Sequence, residues 1–303
     1  MNMIIAVDLG ATNLRVALVN EKRILKKIKV KTEKSSKLAV PKQIVKIAEK
    51  FKKDAEAIVI ASAGLIDLKR GEVKPPNLPF KKIPLVKFIS ETLKLPVYLI
   101  NDGNASVVGE KFYGSGKMCE NLAYITLSSG IGCGVIVNNN LLLGKDGNAA
   151  ELGHIVIDKE GKLKCGCGKR GHWEAYCSGT NIHNFLKLWL KEKKKTKGLK
   201  KYSDVYKIFD EAKKGDKIIL EFLEEVGKLN SIGFANLINA FNPELITVGG
   251  GMVLNNKKLI LNPIKKYLKD YVFNRIPKIK ITKLGDDIAI YGCMGYFYKI
   301  LKR

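Results

Sequence analysis

Apolar residues in the first hundred positions come in short blocks closed by glycine, aspartate or asparagine, the pattern of buried strands alternating with amphipathic helices. Residues 4–8 and 14–19 read as two strands joined by a tight turn over 9–13, where Gly10 supplies the backbone freedom. A helical stripe follows over 39–53, then a buried strand at 57–61, a helix at 85–93 and a strand at 97–100 that runs straight into Asn101 and Asp102. From Leu122 the pattern recurs: strands at 124–127 and 134–137 flank a glycine-rich turn at 128–132. Past a loop-rich stretch over 144–179, helical patterns cover 181–190, 203–213 and 217–239. A strand at 245–248 then enters Gly249-Gly250-Gly251, and further helix, a strand near 278–283 and a terminal helix complete the chain. Two hairpin-led blocks of this kind predict two α/β lobes with a cleft between them.

Composition narrows the function classes. With 303 residues, 46% of them hydrophobic, the chain can bury a sizeable core. The net charge of +25 raises the question of nucleic acid, but the 54 Lys and Arg residues are spread through nearly every segment. Only short runs such as 191–195 concentrate them, as on a solvated face, so no specific nucleic-acid partner is expected. No apolar run reaches the roughly 18–20 residues of a spanning helix, and the run at 3–7 stops at Asp8 without a basic leader, so the expected location is the cytoplasm, with no membrane contact. Six cysteines could pair, yet Cys165 and Cys167 flank a single glycine, a spacing better suited to a metal than to a disulfide framework.

Three turns could handle phosphate. Asp8-Leu9-Gly10-Ala11-Thr12-Asn13 places a carboxylate at a strand end ahead of small and hydroxyl residues, so backbone amides could meet phosphate oxygens while the carboxylate holds hydrated magnesium. An ordinary hairpin accounts for it equally well. Ser128-Ser129-Gly130-Ile131-Gly132 has the same character, and Gly249-Gly250-Gly251 allows close approach of a nucleotide base or ribose. Asp102, at a strand's carboxyl end, is either a plain helix cap or a general base for a hydroxyl attacking phosphorus. The most specific local signal is His154, Cys165, Cys167 and His172, with glycines that let the chain wrap into a closed tetrahedral zinc site.

On these motifs the sequence resembles, over essentially its whole length, the ROK family of bacterial and archaeal sugar kinases and related repressors. The matching segments are 8–12, Asn77, Asn101-Asp102, 128–134, Glu151-Leu152-Gly153-His154 and the Cys-x-Cys-Gly segment. The resemblance implies an actin/hexokinase-like (ribonuclease H-like) α/β fold of two lobes with an active-site cleft between them. One lobe is expected at 1–118, rejoined by a last helix at about 290–303, and the other at 119–289. It implies a glucokinase-like enzyme that uses ATP and Mg2+ to phosphorylate a hexose or N-acetylhexosamine at the C6 hydroxyl, as a homodimer or higher oligomer. ADP is not separated from ATP by these residues. Asp102 would be the base. Asn77, Asn101, Glu151, His154 and Glu174 would bind the sugar, and Asp8, Gly10, Thr12, Asn13, Ser129, Gly130, Gly249, Gly250 and Gly251 the magnesium and nucleotide.

Three departures from the family pattern matter. His172 stands where the family has a third cysteine, which predicts a mixed zinc site of His154, Cys165, Cys167 and His172, with Cys177 as a substitute for His172. Ser128 replaces a glycine of the second phosphate turn, and Gly103 replaces an alanine after Asp102. A sugar-sensing regulator of the same family is the alternative reading, but family regulators place a helix-turn-helix ahead of the first turn, and Asp8 lies only seven residues from the start. An unrelated zinc-ribbon module fits less well, because phosphate turns lie on both sides of the metal segment.

Overall fold

The computed structural model describes residues 3–74, 82–194 and 199–302. Strands β1 (Met3–Leu9), β2 (Asn13–Val19) and β3 (Ile24–Lys31) form an antiparallel meander, and β4 (Ala55–Ser62) lies parallel to β1. A small antiparallel sheet of β5 (Leu65–Asp67), β6 (Glu72–Lys74) and β7 (Ile83–Pro84) follows in the chain. β8 (Val97–Asn101) then pairs parallel with β4, giving the order β3-β2-β1-β4-β8. Helix α1 (Ala39–Ala48) carries Pro41 in its first turn, where the missing N–H is tolerated, and tightens into a 3-10 turn over Glu49–Asp54. α2 (Leu85–Leu93) and α3 (Asp102–Phe112) precede and follow β8.

A second sheet has the order β11-β10-β9-β12-β13, from β9 (Leu122–Leu127), β10 (Ile131–Val137), β11 (Asn140–Leu141), β12 (Leu245–Gly249) and β13 (Lys278–Ile281). Between β11 and β12 lie α4 (Trp173–Cys177), α5 (Ile182–Glu192), α6 (Val205–Lys213) and α7 (Lys217–Phe241). Aspartates cap the last two: Asp204 Oδ1 accepts from Lys207 N at 3.0 Å, and Asp216 Oδ1 from Ile218 N at 3.0 Å. α8 (Gly251–Asn255), α9 (Lys257–Tyr267) and α10 (Ile288–Gly295) complete the chain, the last continuing as a π-helical turn over Tyr296–Leu301. Among the described residues no helix is long and apolar enough to cross a membrane.

The chain divides into two compact units, one of residues 1–124, 134–150 and 282–303, the other of 125–133 and 151–281. The expected cuts were 118/119 and 289/290; the polypeptide changes unit within β9 at 124/125, within β10 at 133/134, and again at 150/151 and 281/282. In the first unit the sheet is buried on both faces. Ile5, Val7, Val16, Ile58 and Ile60 meet α1 and α2 through Ile44 and Ile89, while Ile4, Ala6, Ala57 and Val59 meet Ala105 of α3 and Ile290 and Met294 of α10. Such double burial is why β1 and β4 read as continuous apolar runs.

Other elements were not legible. β3 was not expected, although Lys27-Ile28-Lys29-Val30-Lys31 alternates with the period of an edge strand; the small sheet of β5 to β7 and the short α4 were not expected either.

The crossing of α3 and α10 leaves no room for a side chain. A Cβ at Gly292 would lie 1.9 Å from the Ala105 carbonyl oxygen, and one at Gly109 2.7 Å from that of Ile288. Overpacking of this kind costs about 1–3 kcal/mol or more. Gly292→Ala is therefore expected to lower the melting temperature by at least about 3 °C in a thermal scan.

Candidate active site and metal cluster

The first turn is built to hold a buried carboxylate. Asp8 is the last residue but one of β1, and Arg15 of the adjacent strand donates to it from Nη1 at 2.7 Å while Nη2 reaches Asp286 Oδ2 at 3.2 Å. Burial pushes the Asp8 carboxyl above its ordinary range against the pull of Arg15, and Asp286 and Asp287 add to the rise. The turn is closed by Gly10 N donating to Asn13 O at 3.1 Å, by Thr32 Oγ1 donating to Gly10 O at 2.7 Å and by Thr32 N donating to Thr12 O at 3.0 Å. A Cβ at Gly10 would meet Asn13 O at 3.0 Å, and Thr12 is exposed. Arg15 and Asp286 were missed by the sequence reading; a lone arginine seven residues after a strand-end aspartate gave no signal until the hairpin brought the two together.

At the end of β8 the two roles considered for Asp102 separate. The helix cap is Asn101, whose Oδ1 accepts from Gly103 N at 2.8 Å and Asn104 N at 3.2 Å. Asp102 is the first residue of α3, half-buried, with Oδ1 accepting from Gly103 N at 2.9 Å. A carboxylate in the first helical turn is stabilised in its charged form by the helix dipole. Gly103, the departure after Asp102, is buried inside the first turn. Asn77, expected to contact sugar, lies outside the described residues.

In the other unit the turn between β9 and β10 is shorter than expected, because β10 already begins at Ile131. Ser128 N donates to Gly130 O at 3.0 Å. Ser128 is absent from the described non-glycine residues with positive φ, so the turn does not require glycine there. At Gly130 a Cβ would lie 2.7 Å from Glu174 Oε2, so a side chain there would displace that carboxylate. Of the three glycines at the end of β12, Gly250 has φ +95° and a Cβ on it would lie 2.5 Å from Leu127 O, so it serves strand packing. Gly251 has nothing within 4 Å of that position, and is the glycine a ligand could approach.

The four residues expected to hold a metal converge. His154, Cys165, Cys167 and His172 offer ligand atoms that all lie within 4.8 Å of one another. His154 Nδ1 stands 3.6 Å from Cys165 Sγ, and His172 Nδ1 3.3 Å from Cys167 Sγ. Two thiols and two imidazoles at such spacing fit tetrahedral zinc. Cys177, the substitute, is fully buried, its thiol directed at Val226 O at 3.8 Å, and is not in the cluster. Burial pushes the Cys165 thiol up to about 12 and holds the His172 imidazole below its usual range, with His154 adding to the second effect. His154 presents its other face to the acidic residue expected to share the sugar: Nε2 is 3.9 Å from Glu151 Oε2. Ala150, at φ +64°, turns the chain into Glu151, a conformation that strains any residue with a side chain. Glu174, the third expected sugar ligand here, accepts from Ile131 N on Oε2 at 2.9 Å and lies 3.7 Å from Cys165 Sγ through Oε1.

Arg15→Gln removes the main influence opposing burial at Asp8, so the carboxyl should titrate at higher pH than in the unaltered chain. Carbon-detected NMR titration of the carboxylate checks the direction. Because a raised folded-state pKa means that ionisation costs stability, the variant should also lose more stability than the parent as pH rises through that pKa.

The ROK family model matches residues 4–299. A glucokinase of Pyrobaculum calidifontis is 37% identical over 97% of this chain and 95% of its own length, and one of Thermotoga maritima 34% over 95% of each. A ROK family glucokinase from Streptomyces griseus, solved with glucose and AMPPNP, superposes with a TM-score of 0.81 at 29% identity, covering 97% of this chain and 98% of that one. The actin-like fold of the ROK hexokinases is thus the fold of this protein, and the chain belongs to the ROK family.

Proposed function

We propose that this ROK sugar kinase transfers the terminal phosphoryl group of ATP to the C6 hydroxyl of glucose or a related hexose, with Asp102 as general base. The observation that carries the reading is the division of labour at the start of α3. Asn101 takes the cap, and Asp102 is a half-buried carboxylate in the first turn of the helix, where the dipole favours the ionised form from which a general base must start. The full-length likeness to glucokinases, one of them solved with glucose and an ATP analogue, supports the substrate pair.

In this reading the C6 hydroxyl gives its proton to the Asp102 carboxylate as its oxygen bonds to the γ-phosphorus. The bond from that phosphorus to the β,γ-bridging oxygen breaks, and ADP leaves with the electron pair. The proton passes to solvent once the sugar phosphate has gone. Asn101, Glu151, His154 and Glu174 hold the remaining sugar hydroxyls, and Asn77 is assigned the same task. The turns at 10–13 and 128–130 and Gly251 receive the nucleotide. Magnesium, when bound, neutralises phosphate charge, and Asp8 is the residue that would hold it. Zinc would be held by His154, Cys165, Cys167 and His172 with no coordination position left open, which fits bracing and not chemistry.

Loss of the base should cost about 10²–10⁴ in kcat with little change in the KM for sugar. Asp102→Asn and Asp102→Ala in a coupled assay test this. Unaltered kcat in both, or no turnover of any of a broad sugar panel by the unaltered protein, would sink the reading. For the metal, about one equivalent of zinc per chain is expected by elemental analysis, retained in His172→Cys and lost together with thermal stability in His172→Ala.

A further inference from the structure

The glycine turn of residues 128–131 is bonded on both sides to the segment that leaves the metal cluster. On one side Glu174 Oε2 accepts from Ile131 N at 2.9 Å and occupies the space that a Cβ on Gly130 would need. On the other, Gly179 N donates to Ser128 O at 2.7 Å and Thr180 N to Ser129 O at 3.1 Å. Both contacts come from residues 173–180, which are themselves fixed at two points. Trp173 is fully buried, its indole N–H donating to Asn230 Oδ1 of α7 at 2.9 Å, and the ring fills the place where a Cβ on Gly233 would stand, 2.4 Å away. The cluster residue His172 immediately precedes Trp173, and Cys165 lies 3.7 Å from Glu174 Oε1. One carboxylate therefore touches a metal ligand with one oxygen and the phosphate turn with the other.

Resting on the reading of 128–130 as part of the nucleotide site, we propose that Glu174 and Gly179 are positioning residues for the nucleotide. They set the carbonyls and amides of the 128–131 turn, so that the state of the His154, Cys165, Cys167 and His172 cluster governs affinity for ATP and not only for sugar. A turn that receives phosphate through backbone amides gains affinity from being preorganised. This turn lacks flanking helix to hold it, and the clasp from 173–180 supplies the constraint. Gly179 is specific to it, because a Cβ there would press on Ser128 O at 2.8 Å.

The test measures the dissociation constant of a non-hydrolysable ATP analogue in the absence of sugar, so that any sugar contact of Glu174 is silent, with zinc content and melting temperature recorded for each protein. Glu174→Ala should weaken nucleotide binding about tenfold, whereas Glu174→Gln, which keeps an acceptor for Ile131 N, should stay within about threefold of the parent. Gly179→Ala touches no cluster residue; it should weaken nucleotide binding at least about fivefold with zinc content unchanged and the KM for sugar within about twofold. Removal of the metal by a chelator should weaken nucleotide binding as well. Parent-like nucleotide affinity in Glu174→Ala and Gly179→Ala would overturn the proposal, as would a chelated protein that binds nucleotide normally while it loses sugar. If the unaltered protein bound no nucleotide at all, the kinase reading would fail instead, which the parent measurement alone detects.

Discussion

Residues 155–172 contain no helix or strand, only the isolated bridges of Val156 with His172 and Lys164 with Arg170. A stretch of that length without regular structure is ordered by scattered backbone bonds, such as Ile157 N to Gly171 O at 2.9 Å and Cys165 N to Lys169 O at 2.8 Å, and by its side chains. Asp158 provides one centre, accepting from Glu160 N and Lys162 N at 3.0 Å each and from the Tyr176 hydroxyl. Burial works to raise its pKa, but these donors outweigh it and hold the carboxyl below its usual range. The four-residue cluster is the other centre, and it lies at the end of the loop from which α4 departs. What this loop holds in place is therefore larger than itself: Glu151 and His154 precede it, Glu174 follows it, and the glycine turn at 128–131 is bonded to the segment beyond.

The first unit solves its own positioning problem by different means. Its sheet is buried on both faces, so the strand ends are rigid, and chemistry is placed where those ends stop. Asp8 is the last residue but one of β1 and Asn101 ends β8, with Asp102 next along the chain. Hydrogen bonds within the Gly10 turn and the cap at α3 then fix the last dihedrals. The helix that carries Asp102 is locked from behind by α10, where glycines at 109 and 292 allow backbone to meet backbone. Glu110, fully buried on the same helix, bonds Thr282 and Ser115 N, so both ends of α3 are tied down. Rigid support of this kind is what a base needs if its task is chiefly positioning.

Much of this was written in the chain. The apolar runs of β1, β2, β4, β8 and β12, the long α7 and the hairpin turns are local patterns, and hydrophobic periodicity reads them directly. The grouping of His154, Cys165, Cys167 and His172 was also legible, since the four lie close in sequence and are separated by glycines that let the chain bring them together. Edge strand β3 and the small sheet of β5 to β7 were not, because short, half-exposed strands are stabilised by neighbours and not by their own composition. Tertiary structure alone could choose between His172 and Cys177. Both lie within the same few residues, but the start of α4 leaves one facing the cluster and buries the other against α7. It alone gave the cap to Asn101, paired Arg15 with Asp8, and turned the Glu174 carboxylate toward the Ile131 amide. Sequence determined which chemical groups this protein has and the elements that carry them, since those depend on contacts a few residues long. Which group each side chain faces depends on partners far away in sequence, 271 positions in the case of Arg15 and Asp286, and only the folded chain brings such partners together.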